Sequence, residues 1–490
     1  MKKLLLILTC ALLFPYLLNA GGIVTNTNQS ATWVRTMVRD ASTDIDAVYF
    51  NPAGLVFMND GFHFSLNSQT IFQHKDVTAT YPFLNESPQE YKGDVKAPVF
   101  PSAFAAWKTG RLAISFGFNP IGGGGGATYE TGLPSIEMPL SHLVPAVSGA
   151  LNTLDQGILL ATGTDPLLRN VTGYSADIYF KGTSVFFGYQ LGVSFKITDM
   201  ISVAAGARYV TAKNTYEGHV KDIMITAAPL NPALGGTFTP GNYLRAIGTT
   251  FGMDFSLQAA ALDMQTTAAE VDAEEKGTGF TPFAGAHLSL MENKLNIGLK
   301  YEMKTKLELE TTVNDGKDGK GMFIQDSIVN SDMPALLSVG VGYKIIDNLS
   351  ATVGFHYFFD KAANYGKTLD AEPTVVVTND KVMDNNYWEV GLGLEYGISE
   401  KFVVSGGWLM GHTGVMEDYQ SDMSYSLNSN TFGVGVGFDI TDNLMLNLGG
   451  AYTLYKDGTK TGTNVQTMQP YSYTLTKSNL IFGIGLDISF

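Results

Sequence analysis

The sequence predicts a transmembrane antiparallel β-barrel of about fourteen strands. Three observations carry the prediction. Six times, an alternating apolar strand meets a short polar turn and a second alternating strand leaves it; long polar stretches separate these hairpins; and a last alternating strand, Leu480 to Phe490, runs to the final residue. In the clearest hairpin, 433–452, Phe432, Val434, Val436, Phe438 and Ile440 share one face of the first strand, while Gly433, Gly435, Gly437 and Asp439 share the other. That is a strand's period of two, with one greasy side and one small or polar side. The pattern recurs at 338–357 and 388–408, and around turns at Thr109-Gly110, Thr198-Asp199 and Glu292-Asn293. Twelve hairpin strands and two terminal ones, Phe62 to Phe72 and Leu480 to Phe490, give an even total, as in bacterial outer-membrane barrels. Short turns are expected on the periplasmic side and long loops outside. A soluble sandwich has no reason to sort its connections in this way.

Residues 1–20 read as a cleaved secretory signal: Lys2 and Lys3, an apolar run from Leu4 to Leu18, then Leu18-Asn19-Ala20 before Gly21. Cys10 lies in that run, so the mature chain needs no disulfide. Beyond it no stretch reaches the roughly 18 to 20 uninterrupted apolar residues of a membrane helix, and strands must do the crossing. Hydrophobic residues make up 45% of the chain, charged residues 16% and aromatic residues 11%, which suits an apolar outer band bordered by aromatic girdles. A formal charge of −15 argues against nucleic acid as a partner. The expected setting is the outer membrane of a Gram-negative bacterium. There the chain would be a monomer among membrane lipid and lipopolysaccharide, presenting its C-terminal strand to the barrel assembly machinery.

Residues 21–61 precede the first strand and show no alternation. They read as a hatch filling the lumen of the barrel at 62–490, because Arg35, Arg39, Asp40, Asp44 and Asp46 could pair with polar wall residues there and would be costly against lipid. The segment ends in Asn51-Pro52-Ala53-Gly54-Leu55, whose Asn-Pro and Ala-Gly pairs favour turns. This segment, the Met333-Pro334 lead-in to a strand ending in Gly340-Val341-Gly342-Tyr343, and the terminal Phe490 together resemble the FadL/TodX family of outer-membrane transporters for hydrophobic compounds. The resemblance spans nearly the whole mature chain. It implies a gate turn at Asn51, Pro52, Ala53 and Gly54 lying near a kinked third strand. It also implies ligand capture by outer loops, an apolar lumenal pocket and sideways release through the wall. Passive import of long-chain fatty acids is the expected activity, with aromatic hydrocarbons as the alternative cargo.

The third strand, Arg111 to Phe118, runs into Asn119-Pro120-Ile121 and then Gly122, Gly123, Gly124, Gly125 and Gly126. Proline removes a ladder hydrogen bond and the glycines bring no side chains, so a strand continuing here must bulge or open. This is the expected edge of a lateral opening. No Gly-Lys-Ser/Thr follows, so the run is no phosphate loop. Outer loops are expected at about 120–182 and 216–280. In the first, Leu140, Leu143, Val144, Val147, Leu151, Leu154 and Ile158 recur every three or four residues and predict an amphipathic helix from near Ser141, with Pro145 tolerated in its first turn. Such a stripe packs on a neighbouring loop or captures a greasy ligand, and one surface can do both. In the second loop, Phe251, Met253, Phe255 and Leu257 add apolar surface.

Inward positions such as Gly391, Gly393, Ser350, Thr352, Gly354, Asn447 and Gly449 are small or neutral, unlike the charged lining of a general porin. Arg208 and Lys300 are inward cations that could hold a ligand carboxylate; pairing with hatch aspartates or with Glu302 is the competing assignment. The seven histidines are scattered, and no nucleophile or metal-ligand spacing is visible. No catalytic residue, metal or cofactor is expected. A polar-solute porin and a surface-binding barrel are the other readings of the same architecture.

Overall fold

The computed structural model describes residues 25–490 apart from 370 and 371; the signal segment 1–20 lies outside the described residues. Fourteen antiparallel strands close into a barrel. The first seven are β1 (Gly61–Thr80), β2 (Gly93–Thr109), β3 (Leu112–Tyr129), β4 (Val171–Lys196), β5 (Ile201–Ala227), β6 (Ala269–Leu290) and β7 (Leu295–Glu302, resumed at Glu308–Asp318). The others are β8 (Leu336–Ile346), β9 (Leu349–Phe358), β10 (Trp388–Ser399), β11 (Phe402–His412), β12 (Ser429–Thr441), β13 (Leu444–Tyr455) and β14 (Pro470–Ser489). All six expected hairpins are present, and each strand pairs with the next. The ring closes where β14 returns to β1, in register from His63↔Ser489 to Thr80↔Ser472. Phe490 fastens this seam: its N–H donates to the Phe62 carbonyl at 2.9 Å, and its carbonyl accepts from the Phe62 N–H at 3.2 Å. Closure at this seam gives β1 and β14 partners on both sides, as hydrocarbon requires, where an unmet backbone group is expensive.

Alternation sorts the side chains as expected. On β12 the outward Phe432, Val434, Phe438 and Ile440 are exposed, as are Phe482, Ile484 and Leu486 on β14. Towards the long-loop end, Phe118, Phe187, Tyr189, Tyr209 and Phe280 form an outward belt of rings, neighbours lying 5.1 to 6.3 Å apart. Such belts mark the membrane interface.

Strands β3 to β6 run further outward than the alternation suggests, so the outer loops span 130–170 and 228–268 rather than 120–182 and 216–280. The reason is an inversion of polarity above the membrane. There the inward side chains are apolar, including Ile178, Phe180, Tyr216 and Ile223, and pack under loop helices. The outward face instead carries ion pairs such as Lys181–Glu217 and Lys213–Glu274. The loop helices are α3 (Pro134–Ser141), α4 (Leu143–Thr162), α5 (Pro240–Phe251) and α6 (Ser256–Gln265), numbered after the hatch helices α1 (Ala31–Thr36) and α2 (Ala47–Phe50). Pro145 falls in the first turn of α4, where its missing N–H costs nothing.

Residues 25–58 fill the barrel. Helix α1 starts at Ser30, whose hydroxyl accepts from the Trp33 N–H, and all six of its residues are buried. The hatch comes close enough to the wall to require inward glycines: a Cβ on Gly393 or Gly407 would collide with the Thr36 carbonyl, and one on Gly340 with Asp40. Gly393→Val is expected to lift the hatch while leaving the strand ladder whole. In planar bilayers this variant should show stepwise ion conductance that the parent lacks, with unchanged heat-modifiable gel mobility.

Candidate functional site

The ladder between β2 and β3 is interrupted. Strands β2 and β3 pair from Gly93↔Tyr129 to Val95↔Ala127 and again from Ala103↔Phe118, but residues 96–102 and 119–126 between these stretches do not pair with each other. Pro98, Pro101 and Pro120 lie in this gap, and none has an N–H to offer a ladder. On its other side β3 stays joined to β4 through irregular register, Pro120↔Phe187, Gly122↔Phe186 and Gly125↔Ser184. Gly123 has φ of +90°, a conformation that suits glycine. The kinked strand turns inward, and Ile121 is fully buried.

The start of the hatch supplies the partners that β2 withholds. The Asn26 N–H donates to the Ile121 carbonyl at 2.8 Å, its side-chain amide to the Gly123 carbonyl at 3.2 Å, and the Gln29 amide to the Pro120 carbonyl at 3.0 Å. The Gln29 side-chain oxygen in turn accepts from Asn119 at 2.9 Å. The glycine run was visible in the sequence; the prolines of β2 and the partnership with residues 25–29 were not. Pro98 and Pro101 could have been noticed as prolines inside an otherwise alternating stretch.

The turn at Asn51, Pro52, Ala53 and Gly54 is bound elsewhere. Asn51 accepts from the Ala53 N–H at 3.3 Å, capping a short 3-10 turn, and donates to the Ala286 carbonyl of β6 at 3.0 Å. The Pro52 and Ala53 carbonyls accept from Ser194 of β4 and Ser202 of β5, each at 2.6 Å. A Cβ at Gly54 would meet the Ser42 carbonyl. The resemblance implied a turn beside the kink. In the structure it rests chiefly on β4 to β6, and residues 25–29 touch the kink instead.

Charges lock the hatch to the wall. Arg35 pairs with Glu395 and donates to Ser405 at 2.6 Å and to Asn447 at 3.1 Å. Arg39 holds Asp46 at 2.8 Å, and His356 of β9 bridges Asp40 at 2.7 Å and Glu389 of β10 at 2.9 Å. Arg208 and Lys300 belong to the same system. Glu302 accepts from Arg208 at 2.7 Å and from Lys300 at 2.6 Å, Lys300 also reaches the Tyr49 carbonyl, and both cations lie over the Tyr49 ring at 5.1 and 4.8 Å. Of the two assignments open to them, the observed partner is Glu302, so a ligand carboxylate would have to displace it.

Above the hatch is a cavity of about 490 Å³ that extends to the wall gap. Ile71, Phe100, Pro101, Leu409 and Ile481 give it an apolar surface, the glycines Gly122, Gly123 and Gly124 border it, and Lys75 and Lys477 face it from the closing seam. Below the hatch a separate recess of about 750 Å³ is lined by Arg35, Arg39, Asp44, Asp46, Asp439 and Asp487. The two share no lining residue. In the loops, Leu140, Leu143, Val147, Leu151 and Ile158 are buried against β4 and β5, with Val144 and Leu154 half-buried at the margin. An enclosed apolar cavity of about 80 Å³ remains beside Ile136, Leu140, Leu143, Val220, Ile223 and Met322.

A closed barrel with a hatch inside it and a break in its wall is a transport barrel of the outer membrane. Residues 183–490 match the family described as outer membrane protein transport protein (OMPP1/FadL/TodX), and the chain belongs to it. It is an outer-membrane transporter of hydrophobic compounds and not an enzyme. Its fold is similar to the crystal structure of a Pseudomonas aeruginosa FadL homologue, at 14% identity and TM-score 0.62, covering 96% of this chain and 100% of that one. It is also similar to the Ralstonia pickettii toluene transporter TbuX, at 16% identity and TM-score 0.53 over 96% and 99% of the two chains. The P. putida toluene transporter TodX aligns at 12% identity and TM-score 0.52 over 91% and 94%. At such identities the likeness is one of fold. No curated protein matches the chain by sequence.

Glu302→Gln would leave Arg208 and Lys300 buried without their anion, a loss of about 3–5 kcal/mol for a broken buried pair. A fall in the midpoint of heat unfolding in detergent is the expected outcome. An unchanged midpoint would mean that the pair does not secure the hatch.

Proposed function

We propose that the chain imports long-chain fatty acids passively. The ligand is captured at the outer loops, held in the cavity above the hatch and released sideways between β2 and β3. The carrying observation is the unpaired stretch 96–102 against 119–126, to which the apolar cavity extends. Two features support the sideways route over a straight one. The hatch separates this cavity from the recess below, and that recess is lined by arginines and aspartates, a poor path for an apolar chain. Binding would draw about 0.8 kcal/mol from each buried CH₂ of the ligand. Release would follow from movement of residues 25–29 and the glycine run, with Asn51 to Gly54 anchoring the rest of the hatch. In this reading the barrel works as a monomer in contact with lipopolysaccharide, assembled through its C-terminal strand.

A second reading, uptake of monoaromatic hydrocarbons, is favoured by the enclosed loop cavity of about 80 Å³, whose size suits a ring better than a chain. Leu140 and Leu143 of the loop stripe line that cavity.

Uptake of labelled oleate by cells lacking their own long-chain transporter tests the proposal. Cells carrying the protein should regain uptake. Deletion of Gly122 to Gly126 should return uptake to background although the barrel is folded and present. Full uptake by that deletion would rule out the wall gap as the exit, and toluene uptake without oleate uptake would favour the second reading.

A further inference from the structure

We propose that Lys75 and Lys477, together with the Tyr129 hydroxyl, form an anion subsite that holds the carboxylate head of an apolar-chain ligand. This deepens the importer reading and rests on it: the cargo becomes a long-chain carboxylate rather than a neutral hydrocarbon. Lys75 of β1 and Lys477 of β14 are direct cross-strand partners on the closing seam. Both face the cavity, between buried neighbours Val77 and Leu475. Like charges placed directly opposite each other destabilise a strand pair. The chain has 46 acidic residues against 31 lysines and arginines, yet among the described residues neither ammonium has a carboxylate within ion-pair distance. Each lies instead over an aromatic ring, Lys75 at 5.0 Å from Tyr425 and Lys477 at 4.9 Å from Tyr455. The carboxylate that does line the cavity, Glu389, is taken up by His356 and Tyr387.

The neighbouring strands extend the site. Gly93 of β2 lies beside Lys75, and a Cβ there would strike both the Lys75 carbonyl and the ring of Tyr129, its partner on β3. Glycine at 93 thus lets the Tyr129 ring lie across β2 toward the lysines. The Tyr129 hydroxyl is buried without a hydrogen-bond partner, and so is the indole N–H of Trp33 on the floor of the same cavity. Two cations and two orphaned N–H or O–H groups around one cavity lack acceptors, and a carboxylate supplies them through charge-assisted hydrogen bonds. A head held here leaves the tail to run along Ile71, Phe100, Leu409 and Ile481 toward the gap. By contrast, Arg208 and Lys300 already share Glu302 as an ion-pair partner.

The test is direct binding of radiolabelled oleate and of radiolabelled oleyl alcohol, the same chain without the charge, to the purified full barrel in nonionic detergent. The parent should bind oleate about tenfold or more tighter than the alcohol, a difference of about 1.4 kcal/mol. Lys75→Gln/Lys477→Gln should lower oleate binding to the level of the alcohol and leave alcohol binding unchanged, while Lys75→Arg/Lys477→Arg keeps the preference. Heat-modifiable mobility checks that each variant is folded, and the glutamine pair, free of opposed charges, should be at least as heat-resistant as the parent. Equal binding of oleate and alcohol by the parent would overturn the subsite while leaving the importer reading intact. So would a preference that survives in the glutamine pair. If the parent binds neither chain and restores no uptake, the importer reading falls and the subsite with it.

Discussion

Hydrocarbon cannot hydrogen-bond a peptide group, and every part of this structure answers to that constraint. The strands meet it by closing a ring, down to the paired Phe62 and Phe490 at the seam. Where three prolines and five glycines prevent β2 and β3 from pairing, the constraint remains, and it is met from inside. Asn26 and Gln29 take up carbonyls of Pro120, Ile121 and Gly123 that would otherwise face an apolar cavity. The hatch is thus part of the wall at that point, and any displacement of residues 25–29 exposes backbone acceptors in the kink. Opening the wall there would require moving residues 25–29 as well.

The hatch itself is held by a mixed set of forces. Its apolar residues, among them Val34, Met37, Val48 and Leu55, pack into a core that continues onto wall residues such as Phe104 and Leu409. Its charges are all matched, within the hatch or to the wall, through Arg39–Asp46, Arg35–Glu395 and the His356 bridge. Buried pairs of this kind give modest net stability but penalise any arrangement that separates them, so they fix a register more than they add strength. Inward glycines on β8, β10 and β11 serve the same end by letting the hatch backbone touch the wall backbone.

What the sequence disclosed follows from how far each signal reaches along the chain. Alternation, turn residues and the terminal aromatic are local, and they gave the hairpins, the closing strand and α4 within two residues of its start. The outer extensions of β4 to β6 escaped because the polarity rule reverses above the membrane: Tyr174 and Ile178 point inward and Lys181 outward, so the expected greasy exterior ends before the strand does. The charges of the hatch were legible as a group that had to be buried and paired, but which wall residue each would meet was not. Lys75 and Lys477 lie 402 positions apart and become neighbours only through barrel closure. No local pattern marks two such lysines as partners, whereas Arg208, Lys300 and Glu302 stood out because each interrupts a neutral inward face.

The belt of rings at Phe118, Phe187, Tyr189, Tyr209 and Phe280 fixes the depth of the wall gap. Pro120 pairs with Phe187 in that belt, so the break lies at the outer interface and not at the middle of the bilayer. On the proposed route a molecule leaving there would enter the outer leaflet near its polar edge. A carboxylate on such a molecule would leave the protein at headgroup level, with the crossing of hydrocarbon, the slow step for a charged group, still ahead of it. On the proposed route the break would leave the protein only the task of threading a chain, and any flip of a charged head would fall to the bilayer.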